Sequence, residues 1–183
     1  MGATSTYLGD FTNLAEACRE GGGGLSAFLR LDSVIDLGWP DDVVEQWLYD
    51  HSGHGRFLND YGDIDLSRVR WTVEVVPATD LALVPTGASE SSAIDDWAKQ
   101  HVRNIELRNN GIHMGVGVGL CWDVHGTWRR WPLLIDRELL DPAAPGLQVI
   151  EGRTRVGTLK GRLRDGDFVA DRHLVWVARA AGA

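Results

Sequence analysis

The chain has 183 residues, with 26 acidic and 18 basic side chains and a net charge of −8. An apolar content of 44% and eight Trp exclude a disordered chain, and the length suits one ordinary domain. The acidic balance argues against coating DNA or an anionic membrane, and no apolar run approaches the roughly 18 residues of a bilayer span.

The opening MGATSTYLGD lacks both the basic start and the apolar middle of a secretory signal, so a cytosolic location is expected. Phe11, Leu14, Ala15 and Cys18 have helical spacing within Phe11 to Glu20, and Gly21 to Gly24 end that pattern. Residues 1–24 therefore read as an N-terminal appendage and glycine-rich hinge, and residues 25–183 as a single domain. Leu25, Phe28, Leu29 and Val34 suggest a short helix or turn. Asp41 or Asp42 caps a second helix with Val43, Val44, Trp47 and Leu48 on its apolar face. Gly53 to Gly62 reads as loop, with one turn at Arg56-Phe57-Leu58.

Arg68 to Val76 alternates cleanly. Val69, Trp71, Val73 and Val75 form the expected dry face of a strand, and Arg68, Arg70, Thr72 and Glu74 the wet one. Leu81 to Val84 suggests a companion strand. Ser89 to Leu107 reads as the longest helix, with Ile94, Trp97, Ala98, His101, Val102 and Ile105 on one side and Asn109-Asn110-Gly111 as its stop. Trp128 to Asp136 and Leu147 to Ile150 read as strands, Arg153 to Leu163 as a helix, and Leu174 to Ala178 as a last strand. Helices and strands interleave without a βαβ beat, which predicts an α+β, or mixed α/β, fold.

Most chemical signatures are absent. Cys18 and Cys121 lie 103 positions apart, form neither a CxxC pair nor a zinc spacing, and predict no disulfide in a reducing compartment. There is no phosphate-binding GxxxxGK[ST], no HExxH and no GxSxG. Gly115-Val116-Gly117-Val118-Gly119 starts like a dinucleotide loop but places its third glycine wrongly, so it reads as a strand with small residues. His51 and His54 flank a glycine and have no third ligand at a suggestive spacing, so no metal site is assigned. His113 and His125 read as surface or structural. Trp122, Trp128 and Trp131 cluster around Arg129-Arg130; core packing is the plain reading, and base stacking by Trp128 and Trp131 the functional one.

The most informative stretch is LQVIEGRTRVGTL, Leu147 to Leu159. A short apolar strand meets a glycine and then a helix. Unpartnered amides at such a helix start carry partial positive charge, and a glycine lets a phosphate approach the backbone. Arg153 and Arg155 add guanidinium forks and Thr154 a hydroxyl. Gly152, Arg153, Thr154 and Arg155 thus form an expected anion seat. Val156, Leu159 and Leu163 are its apolar backing. Five basic residues and one acid lie between Glu151 and Arg164, against the overall acidity; side chains snorkelling beside a buried stripe would leave the same pattern.

A strand followed by G-x-x-R at the start of a helix resembles the ParB/sulfiredoxin superfamily. Glu151-Gly152-Arg153-Thr154-Arg155 carries the resemblance, with Val149-Ile150 before it and Trp131-Pro132-Leu133-Leu134-Ile135 further upstream. Tyr61-Gly62, Asp65 and Trp71 through Pro77-Ala78 add a weaker likeness. The resemblance implies a small mixed sheet flanked by helices. It also implies binding of ATP or CTP with Mg²⁺ at the G-x-x-R turn, serving a nucleotide-dependent phosphotransferase or hydrolase. Members include partition proteins that switch with CTP, free-serine kinases and sulfiredoxins. Sulfiredoxin activity needs a cysteine in the box, where this chain has Arg153 and Thr154. ParB proteins carry alanine three places after the arginine, where this chain has Thr158.

Within this reading Glu151 would hold Mg²⁺ or act as a base, with orienting an arginine as the plain alternative, and His173, ahead of the last strand, would be a second catalytic group. The partner would be a nucleotide or phosphorylated small molecule, with nucleic acid not favoured. The alternative is a non-enzymatic regulatory module that grips a nucleic-acid phosphate or a protein partner through the same seat.

Overall fold

The computed structural model describes residues 5–103, 105 and 117–182. On the N-terminal side, α1 (Thr12–Glu20), α2 (Gly24–Phe28), α3 (Asp32–Ile35) and α4 (Asp41–Val43) follow a 3₁₀ turn at Leu8–Phe11. α4 runs straight into a π-helical segment, Val44–Tyr49, and α5 (Gly55–Tyr61) follows. Then come β1 (Val69–Pro77), α6 (Ala78–Leu81) and α7 (Ala93–Lys99). The C-terminal part holds α8 (Val118–His125), β2 (Leu133–Asp136), β3 (Leu147–Glu151), α9 (Arg153–Asp165) and β4 (Arg172–Ala180).

The four strands form one mixed sheet in the order β1-β4-β2-β3. β1 pairs antiparallel with β4, β2 parallel with β4, and β2 antiparallel with β3. Successive side chains of a strand point to opposite faces, and the core follows that period. Leu133, Ile135, Ile150, Ala178, Val69 and Trp71 pack on the N-terminal helices. Leu134, Val149, Val175 and Val177 pack on the other side, with Ile94, Trp122, Val156 and Leu159. The result is an α+β fold with helices on both faces of the sheet.

The first 24 residues are not an appendage. Leu8, Phe11 and Ala15 are fully buried in the same core as Phe28, Trp47 and Leu48. The glycine run is a tight turn between α1 and α2, helped by positive φ at Gly22 (73°) and Gly24 (56°).

Other elements also differ from expectation. Gly55–Tyr61 is a helix rather than a loop, because Phe57 and Tyr61 bury one face of it against Trp47. Leu81 to Val84 is no companion strand: Leu81 ends helix α6, and Ala82 and Leu83 form the turn after it. The long helix is broken: a 3₁₀ turn at Ala88–Glu90 precedes α7, and Trp97 and Val102 point to solvent. The C-terminal end of that expected helix, at 104 and 106–107, lies outside the described residues, as do its stop at 109–111 and His113.

Of the glycine segment, Gly117 (φ 103°) starts helix α8, so its described part is no strand. The strand expected from Trp128 begins only at Leu133. On β1, Val73 and Val75 are exposed although they share a face with buried Val69 and Trp71.

Candidate functional site

Gly152 sits at φ 98°, a conformation open to glycine, and caps α9 with no side-chain hydrogen bond. The turn lies against protein. A Cβ at Gly152 would meet Pro132 Cβ at 2.6 Å and the Arg155 Nε at 3.1 Å. The glycine is thus needed for close approach to Pro132.

Arg155 turns inward and is 8% exposed. Its guanidinium donates to the backbone oxygens of Arg130 and Trp131, both at 3.0 Å, to Gln46 Oε1 at 2.8 Å, and to the Glu151 carboxylate. Gln46, on the π-helical segment, in turn donates to Asp42 at 3.0 Å and to the Trp131 carbonyl at 3.1 Å. Asp42 also accepts from Arg130 at 2.6 Å and from the Trp176 indole at 3.0 Å. The fork therefore ties the strand–helix junction to the N-terminal layer. π-Helical turns are rare, and this one carries a nearly buried glutamine to the inner end of the network.

Arg153 points the other way. It pairs with Glu90 at 2.6 Å, and its guanidinium lies 4.9 Å from the centre of the Phe57 ring. Glu90 is held a second time by Arg56, at 2.8 Å. Phe57 stacks on His51 at 4.3 Å, and His51 reaches the wall of a cleft of about 840 Å³ lined by Thr12, Glu16, Arg19, Asp50 and His54. Burial and the neighbouring cations lower the His51 pKa to about 4, and burial beside Glu45 raises that of Asp50. Thr154 occupies the first turn of α9, and its carbonyl accepts the Thr158 hydroxyl at 2.8 Å.

The basic run is neutralised in three dimensions. Lys160 pairs with Asp95, Arg162 with Asp123 and Arg164 with Asp165, in addition to the Arg153–Glu90 and Arg155–Glu151 pairs. Glu90, Asp95 and Asp123 come from elements distant in sequence, while Glu151 and Asp165 lie at the two ends of the run itself, so the local excess of charge seen along the chain is not a basic patch on the fold. Val156 and Leu159 back the helix as expected, while Leu163 faces solvent.

No family model, curated protein or solved structure matches the chain. Its chemistry must be read from its own residues.

The expected catalytic pair does not converge. Glu151 aligns with Leu133, and Leu133 with Trp176, three residues along β4 from His173. Two strand spacings and three residue rises separate their backbones by about 14 Å. His173 is buried, with Nδ1 at 2.8 Å from the Thr127 hydroxyl and its ring 4.6 Å from that of Trp128. Burial lowers its pKa, which keeps it neutral.

Trp128 is a core residue packed on Trp122, its indole donating to the Leu174 carbonyl at 2.9 Å. Trp131 packs on Trp176. The two do not form a platform for a base: one is buried in the second core and the other lies over β4. His125 is exposed. Among the described residues no three His, Cys, Asp or Glu side chains stand together as a metal site, and the Glu151 carboxylate is taken by Arg155. These residues do not fit a Mg²⁺ cage.

Gln46, Asp42, Arg56, Phe57 and Glu90 complete the site, and none stands out along the chain. Their only shared signal is distance: Gln46 lies 109 positions from Arg155, and Glu90 lies 63 from Arg153.

Proposed function

We propose that the chain is a phosphate-binding domain that takes a nucleotide or another phosphorylated small molecule at the first turn of α9. The observation that carries this reading is the state of Glu90. Its carboxylate is held between Arg56 and Arg153, at 2.8 and 2.6 Å, beside a helix start that no side chain caps. A place where two guanidiniums hold one carboxylate also suits phosphate oxygens, which carry more charge and accept the same forked donors. The positive end of α9 adds to that preference. A phosphate would displace Glu90 and keep both arginines.

In this reading Arg153 is the contacting cation and Arg155 the anchor that holds the turn in shape. The resemblance of Glu151 to Arg155 to the ParB/sulfiredoxin box supports the same ligand class, with ATP and CTP the first nucleotides to try. The role is binding. Glu151 is engaged by Arg155 and His173 lies two strands away, so neither supplies a base for phosphoryl transfer at this turn. Regulation by a bound phosphate follows more directly than turnover.

The test is a melting-temperature screen of ATP, CTP, GTP and inorganic phosphate, with and without Mg²⁺, on the native chain, Arg153→Ala and Glu90→Gln. A ligand at a hundredfold its Kd stabilises by about 2.7 kcal/mol. The expected outcome is a rise with a phosphate ligand, enlarged in Glu90→Gln and lost in Arg153→Ala. Salt-steep binding of a polyanion without any nucleotide response supports the partner-binding alternative. No shift with any phosphate ligand, even in Glu90→Gln, together with no binding of a polyanion, contradicts both.

A further inference from the structure

β1 is an edge strand of nine residues. The Ala181 N–H donates to the Arg68 carbonyl, so Arg68 and every second residue after it turn their backbone toward β4. Trp71, Val73 and Val75 therefore direct their N–H and C=O groups away from the sheet. Among the described residues nothing bonds to them, whereas the Val69 carbonyl is taken by the Trp39 indole at 3.2 Å. Free edges of this kind are normally short, bulged or covered. This one is long, and its exposed flank is apolar: Val73 is 43% exposed, Val75 51%, and Leu174 beside Val75 39%.

The charges on the opposite face are uneven. Arg179 is held by two carboxylates, Glu74 and Asp136, while its ladder neighbour Arg70 is exposed and has no ion pair among the described residues. Each chain thus has one edge cation left over, four residues from a carboxylate on the same face of the same strand.

We propose that β1 is a two-fold interface, pairing antiparallel with β1 of a second copy about Thr72. This register sets Arg70 opposite Glu74 of the second copy, and Glu74 opposite its Arg70. It sets Trp71 opposite Val73, which exchanges backbone hydrogen bonds through the outward-facing residues of both strands. Val75 comes to lie beside Val69 and loses its exposure. Any odd shift of register would leave outward backbone groups facing inward ones, and the other even shifts take Arg70 off Glu74. The ladder stops at Val69, where the Trp39 indole already holds the carbonyl. Two sheets of four strands become one continuous sheet.

Sedimentation and a register-specific crosslink test the proposal on the full chain. The native protein sediments at twice the chain mass, and Arg70→Glu, which sets Glu against Glu74, weakens the dimer by about tenfold or more. In a background with Cys18→Ser and Cys121→Ser, Thr72→Cys forms a disulfide-linked dimer under mild oxidation. The reason is geometric: directly opposed residues of a non-hydrogen-bonded pair lie about 4.5 Å apart at Cα, within disulfide reach. Arg70→Cys does not link to itself, but mixed Arg70→Cys and Glu74→Cys chains do link. A monomer at every concentration, or self-linkage through Arg70→Cys, overturns the proposal.

Discussion

Arg155 shows how one side chain can be legible in sequence and still be read in the wrong role. The strand, the glycine and the arginine three places later are visible in a dozen residues, and the helix starts where that spacing puts it. What the spacing cannot show is which way the guanidinium turns. Its acceptors are Gln46, two carbonyls of the Arg130–Trp131 segment and Glu151, most of them far away along the chain. Removing the buried fork leaves the Glu151 carboxylate and the Gln46 Oε1 without their arginine donor. Arg155→Ala is expected to cost about 3 kcal/mol, and Arg155→Lys to recover little, because an ammonium cannot span the same acceptors. Thermal melting checks this, with a drop of roughly 6–12 °C expected for a domain of this size.

His51 supplies a pH signature at the same scale. In the unfolded chain it takes up a proton as pH falls through about 6.5; folded, it stays neutral until about 4. Between those values the unfolded state binds the extra proton, so stability is full above the window and falls as pH drops through it. The loss is at most about 3 kcal/mol, less the screening that partial exposure brings. His173 acts in the same direction, while Asp50, with its raised pKa, opposes the trend at the acid end. Urea unfolding between pH 7 and 4 is expected to show the decline, with a shallower slope in His51→Gln.

At the scale of elements, α9 carries a feature that apolar periodicity hides. Gly157 and Gly161 lie four apart, on the side of the helix that meets α7 and His101. A Cβ at Gly157 would meet Trp97 Cβ at 2.5 Å and the Ile94 carbonyl at 2.8 Å; one at Gly161 would meet the Ala98 carbonyl at 2.6 Å. The two helices touch through backbone, which no count of apolar side chains reveals. Alanine is worth about 1 kcal/mol more than glycine within a helix, but overpacking costs about 1–3 kcal/mol, and more where the obstacle is backbone. Gly161→Ala is therefore expected to destabilise the protein, measurable as a lower denaturant midpoint at unchanged slope. The alternation of β1 marks it as a strand. The alternation does not show which of its residues are wet, because exposure depends on how far the N-terminal helices extend over the sheet, and burial on that face stops at Trp71. Phe57 and Tyr61 were likewise hidden between glycines: the apolar spacing of α5 is real but only two positions long.

At the scale of the whole molecule, the α+β class is legible because β1 alternates and the other strands are short apolar runs between helical segments. The layering is not. The glycine run looked like a boundary, yet α1 and α2 fold back on each other through it and complete the core on one face of the sheet. A chain beginning at residue 25 loses Leu8, Phe11 and Ala15 from that core. Burial of a Leu or Phe side chain contributes about 1.5–3 kcal/mol, and domains are stable by only about 5–15 kcal/mol in all. The truncated chain is expected to lose cooperative unfolding, with weakened near-ultraviolet circular dichroism from the Trp39, Trp47 and Trp71 cluster.

In the proposed function Glu90 holds the place of a phosphate between Arg56 and Arg153. Titration calorimetry of Glu90→Gln against the native chain, with the same phosphorylated ligand, tests it most directly. Binding tightens in Glu90→Gln by about tenfold, roughly 1.4 kcal/mol, and is lost in Arg153→Ala. Equal or weaker binding in Glu90→Gln, or binding that survives in Arg153→Ala, would contradict it.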